Sequence, residues 1–341
     1  MHQTSPRPAP RPHLAVLSLS ALLAACGGGD DGGAPLPSQP SIPQAGGARP
    51  ITTMPASSYT GDKLAAFTHL NEARLAAGVG AVEQNAQLDA AAQAHATYQA
   101  KNYTTGHGER RDQPFFTGTN AADRARAQGY AGTMTAEIIS YAAQGKPAID
   151  SLLYSVYHLH AALDPRANQL GIGMDSTLTP GALSSTSLTL GQQRGAPGPV
   201  ATIWHWPASG QTGVQPGFAP AGESPNPAPD LAVTGTPIMF CGAAGNYAPL
   251  RLLDVSLIET ATREAVPLRV LKSAAVQSDA SLQAQVVDDP NLTPGVVYQM
   301  CVFMLPLRAL DAGARYDVGI SAGQAGERLE AGWTFSTLVP D

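Results

Sequence analysis

The chain has 341 residues, with 26 acidic against 20 basic side chains and a formal charge of −6. That balance, without a clustered Lys/Arg face, lacks what phosphate neutralisation demands and argues against a nucleic-acid partner; short basic clusters such as Arg124 to Arg126 read as solvated helix surface. The length is ample for two cores of ordinary domain size, and no stretch approaches the ~20 apolar residues of a membrane-crossing helix.

Residues 1–25 contain no acid. They carry Arg7 and Arg11 ahead of an apolar run from Leu14 to Ala25, and end in Leu23, Ala24, Ala25, Cys26. This is the pattern of a signal peptide with a lipoprotein cleavage box. Processing would leave Cys26 as the new N-terminus, carrying lipid that anchors the protein to a membrane without inserting it through one. From Gly27 to about Ser58 the composition is Gly, Pro, Ser and Ala, a tether with little to bury. Gly27 and Gly28 present no retention aspartate, so the expected location is the cell envelope, with the outer membrane favoured over the inner. Cys241 and Cys301 remain for each other in an oxidising compartment. Closing that loop should add about 4 kcal/mol on the chain-entropy model.

A helical pattern starts near Asp62, with Leu64, Phe67, Leu70 and Arg74 at spacings of three and four, Leu75 beside them, and Gly78 as its C-terminal cap. A second follows the N-cap Asn85, with Leu88, Ala91, Ala92, His95 and Tyr98 down one face; His95 reads as a core histidine bonded to a neighbour. Lys101 to Asn120 loses periodicity and collects Gly106-His107-Gly108-Glu109, the kind of loop that presents chemistry. A short helix runs from Ala121 to Gln128, and Thr135 to Tyr141 is a β-prone segment containing Glu137. Pro147 opens a helix expected to run through Tyr157, with His158 and His160 near its end. Leu170–Met174, Thr186–Leu190 and Val200–Trp206 read as strands, so the first half is an α+β layered domain. After a Pro- and Gly-rich stretch from Pro207 to Ala232, seven short β-prone runs appear between turn signals. They begin at Pro237, Leu252, Val266, Gln283, Val296, Tyr316 and Trp333. With the cysteine pair they describe an immunoglobulin-like sandwich.

Several residues occur in an order that resembles the CAP superfamily (SCP/PR-1-like), particularly its bacterial branch. They are Leu70-Asn71-Glu72-Ala73-Arg74, Ala91-Ala92-Gln93-Ala94-His95-Ala96, His107, Arg124, Gly129-Tyr130, Glu137, Ser155-Val156-Tyr157-His158, Asp164-Pro165 and Gly171-Ile172-Gly173. Trp206-Pro207, Glu223-Ser224-Pro225 and the closing Trp333-Thr334-Phe335-Ser336-Thr337 look like the extension found on some CAP lipoproteins. The resemblance implies an α+β fold in which an α-β-α CAP sandwich precedes an all-β immunoglobulin-like sandwich. The chain then divides into a signal peptide (1–25), a flexible linker (26–58), a CAP domain (59–206), a connecting arm (207–231) and the sandwich (232–341). The resemblance also implies a cavity where His107, Glu137 and His158 converge, with a second acid supplied by Glu109 or, as the alternative, Asp150. The chain departs from the usual pattern around the glutamate, where Ala136 and Ile138 stand in place of Gly and Asn, and after His158, where Leu159 stands in place of Arg.

Two imidazoles and a carboxylate form a competent ligand set for zinc or another divalent ion. The same trio without metal could hold a polar ligand. The first expectation for function is therefore a lipid-anchored binding module whose cavity takes a lipid, peptide or glycan. The rival is a metal-dependent hydrolase using His107, Glu137 and His158, with Glu137 or Glu109 as base. No Gly-x-Ser-x-Gly elbow or His-Glu-x-x-His is present, and Ser155 close to His158 does not by itself make a triad.

Overall fold

A computed structural model describes residues 51–341, apart from 142–143, 178–182, 195–202, 244–247, 294–297 and 340–341. The expected leader, Cys26 and most of the expected linker lie outside the described residues. Among those described, no helix is long and apolar enough to cross a membrane.

Helix α1 (Gly61–Ala76) buries Phe67, Leu70 and Ala73 on one stripe, together with Asn71 and Arg74. The two polar residues are buried because they tie loops to the helix. Asn71 exchanges two hydrogen bonds with the Val82 backbone, and Arg74 donates to the carbonyls of Gly80, Ala162, Asp164 and Ala167. After the short strand β1 (Glu83–Gln84), helix α2 (Ala86–Asn102) starts where Asn85 accepts from the backbone N–H of Gln87 and Leu88 at 3.0 Å. Helix α3 (Ala121–Ala127) and strand β2 (Thr133–Ser140) follow.

The helix expected from Pro147 onward is instead two: α4 (Lys146–Leu153) and α5 (Tyr157–Ala162). The break has a clear cause. The backbone N–H groups of Val156, Tyr157 and His158 donate at 2.8, 2.8 and 3.1 Å to the carboxylate of Glu223. In a continuous helix they would donate to carbonyls one turn back. The side chain of a distant segment therefore starts a new helix.

Strands β3 (Gln169–Ser176) and β4 (Ser184–Gln192) complete a sheet of order β1-β3-β4-β2. Helix α2 lies on one face at a separation that only glycine permits. A Cβ on Gly171 or Gly173 would sit 2.0 Å or 2.1 Å from the backbone of Leu88 or Ala92. Leu170, Ile172, Leu188 and Leu190 point the other way, into a core shared with α1, α4 and α5. This gives the expected three layers, helix, sheet and helix.

The C-terminal region is β-rich and built of two five-stranded sheets. Strand β5 (Trp204–Trp206), expected to belong with the α+β layer, pairs antiparallel with β7 (Ile238–Cys241). Between them β6 (Gln211–Val214), not anticipated from sequence, forms the edge of the other sheet. The remaining strands are β8 (Leu250–Glu259), β9 (Leu268–Lys272), β10 (Gln277–Ser278), β11 (Gln285–Asp288), β12 (Cys301–Pro306), β13 (Arg315–Gln324) and β14 (Glu327–Thr337). The sheets run β10-β8-β13-β14-β6 and β11-β9-β12-β7-β5. Cys241 and Cys301 form the expected disulfide, but within one sheet, where the two residues are register partners on β7 and β12. An immunoglobulin domain carries its disulfide between sheets. Parallel pairings of β11 with β9 and β6 with β14 also depart from that arrangement.

Candidate functional site

A cleft of about 640 Å³ opens where the end of β2, the α4–α5 junction, the loop at 105–107 and the segment 217–224 meet. That volume is typical of a small-molecule site. His107 and His158 both line it.

His107 is delivered by the loop after α2. Tyr103, in the left-handed region at φ 51°, ends the helix, and the backbone N–H of Gly106 donates to the Tyr141 hydroxyl at 2.6 Å, which pins the loop beside β2. The His107 ring is 56% exposed, and its Nδ1 lies 3.0 Å from Oε1 of Glu137. Burial pushes the Glu137 carboxyl up, but His107, Arg124 and His95 together outweigh it and hold the group below the usual carboxylate range. An ionised carboxylate only accepts, so Nδ1 carries the hydrogen and Nε2 keeps its lone pair in the neutral ring. Behind this pair stands Arg124 of α3. Its Nη2 donates to both Glu137 oxygens at 2.8 and 2.7 Å, and its guanidinium also reaches the carbonyl of His107 at 3.1 Å. The Arg124 side chain is 1% exposed, which corrects its reading as solvated surface; Arg126 does face solvent and pairs with Asp123.

His158 has a matching support from another part of the chain. Its Nδ1 lies 2.9 Å from Glu223 Oε1 on the segment that follows β6. The carboxylate already accepts from three backbone N–H groups, so the imidazole is again the donor and Nε2 again remains an acceptor. Ser155 Oγ is 3.4 Å from the same Nδ1 and donates to the Leu152 carbonyl. A nucleophile–base–acid relay needs the two ring nitrogens to serve different partners, which this geometry does not provide.

The remaining sequence candidates fall elsewhere. Glu109 is fully buried; it binds His95 Nδ1 at 2.9 Å, the Thr117 N–H at 2.6 Å and the Gly118 N–H at 3.2 Å, holding the 109–118 loop away from the cleft lining. Burial would raise its pKa, and the bonds from His95 and Thr117 with the charge of Arg124 bring it below normal. His95 is the core histidine expected. Asp150 pairs with His69 at 2.7 Å and Lys146 at 2.7 Å. His160 is buried against Tyr298, ring centroids 4.3 Å apart. Glu223 thus does for His158 what neither Glu109 nor Asp150 does. Its one sequence signal is that it is the only charged residue between Pro207 and Pro229.

Among the described residues, no group of three or more His, Cys, Asp or Glu side chains is placed to hold a metal ion. The expected trio fails at Glu137, which is occupied behind His107 and does not line the cleft. His107 and His158 each have the carboxylate partner at Nδ1 that a ligating imidazole normally has.

Residues 67–177 match the model of the CAP family, described as the cysteine-rich secretory protein family. No curated protein matches the sequence. Among solved structures, the chain is similar to an outer surface protein from Borrelia burgdorferi. That likeness has 17% identity and a TM-score of 0.33, over 39% of this chain and 93% of that one. It is also similar to an extracellular SCP-domain protein from Bacillus anthracis, with 17% identity and a TM-score of 0.32, over 40% of this chain and 45% of that one. Residues 67–177 are a CAP domain, and a β-rich region follows it in the same chain.

Proposed function

We propose that this protein is a cell-surface binding module, anchored by lipid on Cys26, that takes a small ligand into the cleft between its CAP domain and the 217–224 segment. The observation that carries this reading is the paired support of the two cleft histidines. Each has Nδ1 tied to a buried carboxylate, which leaves two fixed acceptor nitrogens on one cavity. The test compares binding of a fluorescent fatty acid, a tetrasaccharide and a peptide to the protein and to folded His107→Ala and His158→Ala variants. At least one probe should bind and weaken in both; equal binding in all three proteins contradicts the reading. For the anchor, Cys26→Ser should move the protein from the membrane fraction to the soluble fraction, and unchanged fractionation would count against it.

The second reading, a metal-dependent hydrolase, is favoured by the same carboxylate-backed imidazoles. A bound divalent ion would supply a Lewis acid and an activated water. His107 and His158 would offer Nε2 to it, while Glu137 and Glu223 orient the rings. The base this reading needs is not open to the cleft. Glu137 is saturated by Arg124 and His107, and Glu223 by three backbone N–H groups and His158. Metal content and zinc titration of the protein beside the two alanine variants decide it. A stoichiometric ion lost in both, with turnover, supports hydrolysis, and no binding at micromolar zinc removes it.

A further inference from the structure

We infer that the ligand of this cleft is a neutral, hydroxyl-rich molecule of the glycan class; this rests on the binding reading above and narrows it to a chemistry. Several hydrogens on the cleft wall are already committed within the protein. Besides Nε2 of His107 and His158, which carries no hydrogen in the neutral ring, the two serine hydroxyls of α4 and its junction have given their protons away. Ser151 donates to the Ala148 carbonyl at 2.7 Å and Ser155 to the Leu152 carbonyl at 2.7 Å. With the Ser151 hydrogen so placed, Ser140 must donate to Ser151 across 2.9 Å. Ser140, Ser151, Ser155 and the two histidines all line the cleft, so this stretch of its wall presents lone pairs. A ligand that fills it must bring donors, several of them, spread along its length.

Tyr141 supplies the complement. Its oxygen accepts from the Gly106 N–H at 2.6 Å and from Gln99 Nε2 at 2.8 Å. Burial raises its pKa, so the phenol keeps its hydrogen, and in both of its hydrogen bonds among the described residues the oxygen accepts. Tyr141 therefore stands as a donor beside that acceptor stretch, the pairing that a vicinal diol can satisfy from both sides. Ile139, Leu152 and Phe218 add apolar surface for the C–H faces of a sugar ring.

Charge excludes the main rivals. No Lys or Arg is among the lining residues, so a carboxylate or phosphate would meet lone pairs without a countercharge. A fatty-acid chain would desolvate the two imidazole nitrogens and the serine oxygens without replacing their bonds, at roughly 1–3 kcal/mol for each buried unsatisfied group.

The experiment is isothermal titration of the full chain with maltotetraose, with the β-1,4 tetramer of N-acetylglucosamine, with palmitate and with a tetrapeptide. His107→Phe serves as the control variant, since its ring is more than half exposed and can be replaced without disturbing the core. At least one tetrasaccharide should bind with Kd below about 1 mM, palmitate should not, and His107→Phe should weaken the sugar about tenfold, the effect of one lost hydrogen bond. Sugar binding untouched by the substitution would overturn the placement in this cleft. Binding of palmitate or the tetrapeptide with neither sugar would overturn the glycan class while leaving a binding module. Absence of binding by every probe would overturn both.

Discussion

Arg124 decides whether the His107 half of the cleft exists. Its guanidinium pairs with Glu137 and also holds the His107 carbonyl, so one side chain sets both ends of the pair. Arg124→Met would leave a buried carboxylate without its partner, a loss of roughly 3–5 kcal/mol that chemical denaturation would register as a lower midpoint with little change in slope. A variant as stable as the parent would show that the pair contributes little. His160 carries a different signature. Burial depresses its pKa to about 4 from 6.5, with Asp164 opposing and Arg166 reinforcing the shift, and its Nε2 has no partner among the described residues. Between those values the unfolded chain binds more protons than the folded one, so stability falls as pH drops from 6.5 towards 4. The full effect is about 3 kcal/mol. His160→Leu should flatten that stretch of the stability–pH curve, and an unchanged slope would assign it to other groups. Neither role was legible in the sequence. Arg124 and Arg126 lie on one short helix, and only the position of β2 separates a buried arginine from an exposed one.

Among the elements, the α4–α5 junction does most to shape the cleft. The Glu223 carboxylate starts α5 and fixes the ring of the helix's second residue, so the segment joining the two parts of the molecule is also a wall of the cleft. Glu223→Gln keeps the shape, but its amide can accept through one oxygen only. His158 should then lose its fixed tautomer while His107 keeps its own, and ligand affinity should drop several-fold with the fold intact. Equal loss in both rings would point to general unfolding. The elements that the sequence revealed are those with local causes. Asn85 caps α2, Gly78 follows α1 at positive φ, and Gly171 with Gly173 marks where α2 presses on the sheet. The α4–α5 break was not legible because its cause lies 65 residues or more away. Strand β6 was hidden for a related reason: Gln-Thr-Gly-Val has no apolar alternation, and its pairing with β14 supplies the order.

At the scale of the molecule, the two halves share a core. One buried cluster runs from Phe67, Leu70 and Leu159 through Trp204 to Met239, Leu271 and Phe303. Tyr157 adds a 2.6 Å bond to Asp289 across the same boundary. A shared core couples the CAP domain to the β-rich region, and the disulfide, which spans 60 residues of the latter, should stabilise both. Reduction should therefore lower a single melting transition by about 4 kcal/mol of stability; a split into two transitions would show that the halves unfold independently. The sequence anticipated the layers, the α+β order and the cysteine pair. It did not anticipate that Trp204–Trp206 would join the C-terminal sheet, because a strand's partner is chosen by the whole arrangement and its own composition suits either sheet.

Two imidazoles, held at Nδ1 by Glu137 and Glu223, present bare Nε2 atoms to one cleft, and on this the proposed binding role depends. Long-range ¹H–¹⁵N correlation spectra of the full chain at neutral pH, with assignments from His107→Ala and His158→Ala, test it directly. Both rings should appear as the Nδ1–H tautomer with an unprotonated Nε2 that shifts when a ligand is added. Either ring found with its hydrogen on Nε2 would contradict this arrangement.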